Sequence, residues 1–230
     1  MARVLVVQHT AHEGLGRLQD WLPAAGVDVH PIHPYLGHRV PQSVEGDALI
    51  VLGGPMGALA DEVAPWLPAT RSLLATAIDD GVPTLGICLG AQLLAVAAGG
   101  SVERGALGPE LGLGTVTVSQ PDVLLQSGEL PVVQWHFDTV TRLPQSAALL
   151  ASSSRYAAQA FRVGEVAWGL QFHIEATPEM VSEWARIDAD ALAEEGRSAA
   201  EVVGEVAAAV GDLEAVGLQL AKRFAHVITG

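Results

Sequence analysis

Residues 83–100 have the sequence PTLGICLGAQLLAVAAGG, which predicts a buried strand, a sharp turn and an apolar helix. The strand covers residues 83–87 and leads directly into Cys88. Apolar residues at three- and four-residue spacing then follow, until a glycine pair at positions 99 and 100 ends the helix. A strand that turns at once into a helix is the repeating unit of a parallel α/β sheet.

The rest of the first 100 residues has the same alternation of strands and helices. Short β-branched runs predict three more strands, at residues 3–8, 27–30 and 47–52. Residues 13–25 and 63–80 carry apolar side chains at helical spacing and can each lay one face on the sheet. We therefore expect an α/β fold, a single flavodoxin-like domain with a mostly parallel central sheet flanked by helices.

The second half continues the same domain, because no linker-like tract separates it from the first. Shorter extended runs lie at residues 115–118, 131–135, 147–151 and 166–172. Helices follow residue 175, first with an N-cap and proline at positions 177 and 178, then with a capping box that starts at Ser198 and a break expected near Gly211. The predicted division is a domain over residues 1–197 and a helical C-terminal extension over residues 198–230, packed on that domain.

Composition excludes several classes of partner. The chain has 230 residues and a formal charge of −14, which disfavours nucleic acid and anionic membrane surfaces as partners. Its most apolar region, residues 82–98, is interrupted by polar residues and proline, and no signal peptide is apparent. The single cysteine permits no internal disulfide, which fits a reducing, cytoplasmic location.

Cys88 is the first candidate for chemistry. It stands between strand and helix with Gly86 and Gly90 on either side, as in a nucleophile elbow. The positive end of the following helix favours its thiolate. A free cysteine is more often a small buried hydrophobe, and the elbow is what favours catalysis here.

His173 and Glu175 are the second candidate, near the end of a predicted strand. Residues two apart in extended backbone face the same side, so the carboxylate can orient the imidazole as a general acid and base. A metal site would need a third ligand that the sequence does not supply, so we expect neither a metal nor a cofactor. His30 and His33 lie in a proline-containing loop and are interpreted as solvated.

The third candidate is the turn Gly53-Gly54-Pro55-Met56-Gly57, directly after a predicted strand. Ligand sites of open α/β sheets lie at such carboxyl ends. No Lys-Ser/Thr follows, which excludes a phosphate loop. The turn can present a backbone N–H to an oxyanion, although a plain tight turn is the simpler interpretation.

In this order and spacing, these three motifs resemble the class I, triad-type glutamine amidotransferases, over roughly residues 3–185. The similarity looks strongest to stand-alone relatives of the GMP synthase glutaminase domain, partly through Gln134-Trp135-His136-Phe137-Asp138-Thr139 and Gln159-Ala160-Phe161-Arg162.

The resemblance implies roles for particular residues. The triad would be Cys88, His173 and Glu175, and the backbone amides of Gly54 and Leu89 would form the oxyanion hole. Substrate contacts are expected from four side chains: Gln92, Gln134, His136 and Asp138. Two positions depart from the family pattern, Phe137, where glycine is common, and Ile174, where proline is common.

The expected reaction is hydrolysis of the glutamine side-chain amide through a glutamyl thioester, with ammonia supplied to a synthase on another chain. The sequence contains no loop typical of ATP binding, so the acceptor reaction would need that separate synthase. Two alternatives stay open: a stand-alone γ-glutamyl amide or peptide hydrolase, and a non-catalytic protein that binds a metabolite or partner through the same pocket.

Overall fold

The computed structural model describes all 230 residues as a single α/β domain. Its strands are β1 (Ala2–Val7), β2 (Val27–Ile32), β3 (Ala48–Val51), β4 (Thr84–Ile87), β5 (Ser101–Arg104), β6 (Glu110–Val118), β7 (Gly128–His136), β8 (Asp138–Arg142), β9 (Ala147–Ser152), β10 (Ala160–Val163) and β11 (Ala167–Leu170). Its α-helices are α1 (Leu18–Ala24), α2 (Leu67–Asp79), α3 (Leu89–Ala97), α4 (Pro178–Ile187), α5 (Ala189–Glu194), α6 (Ala199–Ala208) and α7 (Val210–Thr229). A single 3₁₀ turn spans Pro34–Leu36.

Nine strands form one sheet in the order β2-β1-β3-β4-β11-β10-β9-β6-β7. The first five are parallel to their neighbours, and the remaining pairs are antiparallel. Strands β5 and β8 form a separate antiparallel pair. The expectation of one α/β domain with a parallel central sheet is confirmed, and the antiparallel part extends that sheet on the far side of β11.

The two faces of the sheet are covered by different helices, as the alternation of β1 illustrates. Val4 and Val6 belong to the core that includes residues of α1 and α7, whereas Leu5 and Val7 belong to the core under α2 and α3. Both faces of the central strands are therefore buried, which is why these strands are continuously apolar in sequence.

The junction of β4 and α3 depends on two glycines. A β-carbon on Gly86 would lie 2.5 Å from the Gly90 carbonyl oxygen, and one on Gly90 would overlap the carbonyl oxygen of Val51 in β3. The Cys88 amide donates to the Leu170 carbonyl at 2.8 Å. Cys88 is thus held between two neighbouring strands at the edge where the parallel strands end.

Replacing Gly90 with alanine should destabilise the fold by about 3 kcal/mol, because the new methyl group meets rigid backbone rather than a flexible side chain. The midpoint of denaturant unfolding measures this loss. Gly204 in α6 is the matched control: a β-carbon there meets nothing within 4 Å, so Gly204→Ala should be neutral or stabilising by up to about 1 kcal/mol. Equal stability of the Gly90→Ala variant and the unmodified protein would contradict this account of the junction.

The structure differs from the sequence prediction in the segment before α1. A helix was expected over residues 13–25, but α1 begins at Leu18, and residues 8–17 form a loop. Gly16 has a φ of +48°, and the Arg17 amide donates to the Glu175 carbonyl at 2.9 Å. This tertiary hydrogen bond and the left-handed glycine override the helical pattern.

The C-terminal residues are helical, as expected. The capping box between Ser198 and Glu201 is present. The helix is interrupted between α6 and α7, just before Gly211. Leu220 and Phe224 of α7 are buried in the core shared with α1. No helix is both long and apolar enough to cross a membrane.

Candidate active site

Loops that follow β1, β3, β4 and β11 converge at one edge of the sheet, because the carboxyl ends of parallel strands all lie on that side. A cavity of about 340 Å³ lies at this edge. Cys88 and Gln92 line the cavity, together with the turn at residues 54–57, residues 135–138 where β7 ends and β8 begins, and Trp184 of α4. Two of the three motifs that the sequence singled out therefore line one pocket, and His173 of the third lies next to it, against the Trp184 ring.

Cys88 occupies a strained position in this cavity. Its φ of 51° makes it the one non-glycine residue with a positive φ. Such a conformation costs about 1–3 kcal/mol and persists only where the surroundings enforce it. The thiol is buried and donates to the Trp135 carbonyl at 3.5 Å, and the Gln171 amide lies 3.8 Å from the sulfur.

His173 and Glu175 lie together, as the i, i+2 spacing predicted. The His173 Nδ1 atom is 2.7 Å from Glu175 Oε1, and both side chains are buried. The His173 amide donates to the Val133 carbonyl at 2.9 Å, which ties this segment to β7. Trp184 covers the imidazole, with 4.7 Å between the ring centroids. The orientation of His173 is therefore fixed by a carboxylate, a strand and a helix.

The ionisation of Cys88 and His173 is coupled. Burial raises the pKa of the Cys88 thiol, and the nearby His173 imidazolium opposes that rise. Burial lowers the pKa of His173, but the Glu175 carboxylate and the Cys88 thiolate outweigh it, so this pKa lies well above its ordinary value. The His173 Nε2 atom is buried without a hydrogen-bond partner, which leaves it free for the thiol or a substrate. The His173 imidazolium thus offsets part of the cost of burying a Cys88 thiolate, and the thiolate in turn helps to keep His173 protonated.

Gly54 and Leu89 are neighbours in space. A β-carbon on Gly54 would lie 2.9 Å from Leu89 Cδ2 and 2.6 Å from the Met56 sulfur, so a side chain there would have to displace the ends of both neighbours. Leu89 is the first residue of α3, and an N–H at that position has no acceptor within the helix. Leu89 follows Cys88 directly, and Gly54 lines the same cavity as Cys88, so the two backbone amides of the predicted oxyanion hole lie near the sulfur.

Three of the four predicted substrate contacts line the cavity, and one does not. The amide nitrogen of Gln92 donates to the Asp138 carbonyl at 3.0 Å, and both ring nitrogens of His136 are engaged, one by Glu110 Oε2 at 3.0 Å. The Asp138 side chain is partly exposed and lies 3.9 Å from Arg104. Of the three, Asp138 has the side chain that remains accessible to a ligand.

Gln134 is placed differently from the sequence prediction. Its amide donates to Gln159 Oε1 at 3.0 Å inside the protein, and it lines a separate cavity beside Leu111 and Arg197. Gln134 therefore does not line the cavity that contains Cys88, and its role as a substrate contact stays a prediction.

Several residues that line the cavity were not anticipated. Glu13 lies on the loop after β1, Trp184 and Asp188 come from the α4–α5 region, and Arg104 stands over the Phe137 ring at 4.5 Å. The rule that ligand sites form at the carboxyl ends of parallel strands pointed to the loop after β1. No sequence signal pointed to Trp184, because it reaches the site only through the packing of α4.

A family model described as "Glutamine amidotransferase class-I" matches residues 23–183. The GMP synthase [glutamine-hydrolyzing] of Porphyromonas gingivalis is 34% identical over 63% of this chain and 28% of its own length. A GMP synthase [glutamine-hydrolyzing] subunit from Saccharolobus solfataricus is 35% identical over 65% of this chain and 77% of its length. Gamma-glutamyl peptidase 4 of Arabidopsis thaliana is 32% identical over 56% of this chain and 53% of its length.

The fold comparison agrees with the sequence comparison. The crystal structure of a glutamine amidotransferase from Thermotoga maritima matches with a TM-score of 0.86 and 30% identity, covering 97% of this chain and 98% of that one. This chain spans about half or less of the P. gingivalis synthase and the plant peptidase. The family model nevertheless matches well over half of it. The chain therefore belongs to the class I glutamine amidotransferase family.

Proposed function

We propose that this chain hydrolyses the side-chain amide of glutamine through a covalent glutamyl thioester on Cys88. The observation that carries the proposal is the strained, buried Cys88, which lines the cavity at an elbow and lies beside the buried His173–Glu175 pair. The class I glutamine amidotransferase family supports the same chemistry. Cys88 is the nucleophile, His173 the general acid and base, and Glu175 orients His173.

In the proposed first step, the Cys88 thiolate attacks the glutamine δ-carbon and a carbon–sulfur bond forms. The carbonyl oxygen becomes an oxyanion that accepts hydrogen bonds from the Gly54 and Leu89 amides. As this tetrahedral intermediate collapses, the carbon–nitrogen bond breaks. The leaving nitrogen takes the bonding electron pair and a proton from His173 Nε2, so ammonia departs.

In the second step, water attacks the thioester while neutral His173 accepts one of its protons. The carbon–sulfur bond breaks, glutamate is released and the Cys88 thiolate returns beside a protonated His173. Asp138 is the proposed contact for the substrate's ammonium group, since it lines the cavity and its carboxylate is partly exposed. Gln92 and His136 hold that wall in place.

The ammonia would serve a synthase on a separate polypeptide. This part of the proposal is supported by the relative from S. solfataricus, which is named as one subunit of a GMP synthase rather than as the whole enzyme. Co-purification of the native protein, with identification of any bound chain, tests this part on its own.

A γ-glutamyl peptide hydrolase is the second candidate function. The cavity has an apolar rim that includes Phe137 and Ile187, and Arg104 at its edge could bind the carboxylate of a peptide leaving group. A plant relative is named as a gamma-glutamyl peptidase. The two functions share the chemistry at Cys88 and differ in the group that leaves.

Glutamate release distinguishes the two functions. We expect the purified chain to release glutamate from glutamine with a higher kcat/KM than from γ-glutamyl dipeptides, in a coupled glutamate dehydrogenase assay. Turnover of the dipeptides but not of glutamine would contradict ammonia supply and support the peptidase. Turnover of neither, in a protein that binds glutamine, would support a non-catalytic binding role.

A further inference from the structure

Glu13 is the one cavity residue whose carboxylate has no partner in the protein. Asp188, on the same cavity, accepts a hydrogen bond from the Trp135 indole at 2.8 Å, and Asp138 lies 3.9 Å from Arg104. The Glu13 carboxylate forms no hydrogen bond and no ion pair, although the residue is partly buried. An acid in such a place is available to a ligand in the cavity.

The position of Glu13 is fixed by the elements that build the site. On one side of it, the His12 carbonyl accepts a hydrogen bond from the Trp184 indole at 3.4 Å. On the other side, the Arg17 amide donates to the Glu175 carbonyl. The loop that carries Glu13 is therefore attached at both ends to the His173 side of the cavity.

Glu13 and Asp138 lie against opposite ends of the glycine turn. A β-carbon on Gly53 would collide with the Glu13 carboxylate and lie 3.3 Å from the Cε1 atom of His173. A β-carbon on Gly57 would instead lie 3.5 Å from an Asp138 oxygen. The two acids therefore approach the cavity from different sides, and Glu13 is the one beside the imidazole.

We propose that Glu13 binds the amine that leaves the substrate, by accepting a hydrogen bond from the nitrogen to which His173 delivers its proton. The inference rests on the proposed function, because it assigns a role in the same amide cleavage. It adds no bond-making step: the nitrogen departs with the electron pair of the broken bond and the His173 proton. Glu13 then stabilises the N–H groups and the positive charge that such a nitrogen develops.

The charge of Glu13 fits this role. Burial raises its pKa to about 7, against the opposing charge of His173 and with smaller contributions from Glu175 and Asp188, so a substantial fraction is ionised at neutral pH. The Glu13 carboxylate in turn contributes to the raised pKa of the Cys88 thiol. A cationic partner lowers the free energy of a desolvated carboxylate more than that of an exposed carboxylate, which water already stabilises.

The test compares two substrates that share the γ-glutamyl group and differ in the group that leaves. The glutamine nitrogen becomes cationic when His173 protonates it, before it leaves as ammonia, whereas the oxygen of glutamate γ-methyl ester leaves as methanol without such a charge on nitrogen. Glu13→Gln keeps the size of the side chain and removes its charge. It should lower kcat/KM for glutamine by about 10- to 100-fold and for the ester by less than about 3-fold, because kcat/KM covers the steps up to departure of the leaving group.

Controls separate this role from a structural one. Glu13→Asp keeps the charge and should therefore lose less glutamine activity than Glu13→Gln. Glu165 is an exposed acid in the β10–β11 turn, and Glu165→Gln should leave kcat/KM for both substrates unchanged. Since the folded-state pKa of Glu13 is raised, its ionisation destabilises the fold above pH 7 and has no effect below about pH 4.5. Glu13→Gln should therefore melt at a higher temperature than the unmodified protein at pH 8, with the difference fading towards pH 5.

The outcomes are distinguishable. Equal losses on both substrates, or no loss on glutamine, would overturn the role of Glu13 while leaving the proposed function in place. If the unmodified protein cleaves neither substrate, the proposed function itself fails, and the role of Glu13 with it.

Discussion

Replacing Cys88 with alanine should lower glutamine hydrolysis by about 10⁴-fold or more, since the alternative of direct attack by water lacks a positioned nucleophile. Every proposed step forms or breaks a bond to the Cys88 sulfur, and the elbow places Cys88 at the N-terminus of α3. Alanine adopts the same positive φ at no greater strain than cysteine, so the fold should be kept. The measurement is kcat for glutamate release, alongside the thermal unfolding midpoint.

The matched control is Ser72→Ala, which removes one exposed side-chain hetero atom on α2, away from the cavity. It should change kcat by less than about twofold, as surface substitutions usually do. If Cys88→Ala kept a tenth or more of the activity while Ser72→Ala behaved as expected, the nucleophile would have to be another group.

Replacing Glu175 with glutamine should lower kcat by about 10³- to 10⁴-fold, the loss seen when the carboxylate behind a catalytic imidazole is replaced by an amide. The Glu175 carboxylate accepts a hydrogen bond from the His173 Nδ1–H group, with 2.7 Å between Nδ1 and Oε1. An amide can present its NH₂ group instead, which forces the proton onto Nε2 and blocks that atom as a base. Loss of the negative charge also lowers the pKa of His173, so less imidazolium is available to protonate the leaving nitrogen.

The pH dependence of kcat checks this explanation. In Glu175→Gln the residual activity should fall at a lower pH on the alkaline side than in the unmodified protein, because imidazolium is lost earlier. Glu179→Gln, an exposed acid in the first turn of α4, serves as the control and should leave the profile unchanged. An unaltered kcat in Glu175→Gln would contradict the assignment of an orienting role to this carboxylate.

The parallel half of the fold could be predicted because its signals are local. The central strands are buried on both faces and appear in the sequence as continuous apolar runs, and the elbow at residues 86–90 appears as glycines around one cysteine. The antiparallel half of the sheet was harder to predict from the sequence. Strands such as β5 and β8 are short and half-exposed, and their pairing depends on partners more than 30 residues away.

The site could be predicted where chemistry and spacing coincide. Cys88 follows β4, and His173 and Glu175 follow β11. These residues lie close together because the carboxyl ends of neighbouring parallel strands share one edge of the sheet. Gln134 lies outside this cavity because its amide pairs with Gln159 inside the protein, a tertiary contact that spacing along the strand does not reveal. Glu13 and Trp184 were missed because a loop and a helix bring them to the cavity through tertiary contacts.

Covalent labelling tests the central claim most directly. A glutamine analogue that carries a diazomethyl ketone in place of the side-chain amide alkylates a cysteine nucleophile: the diazo carbon takes up a proton, the sulfur attacks that carbon and N₂ leaves, so that a stable thioether forms. Intact-protein mass spectrometry and peptide mapping should find one adduct per chain, on Cys88, with loss of activity in proportion and with protection by glutamine. A folded protein that stays unlabelled, or that is labelled at another residue with Cys88 intact, would contradict the assignment of Cys88 as the nucleophile.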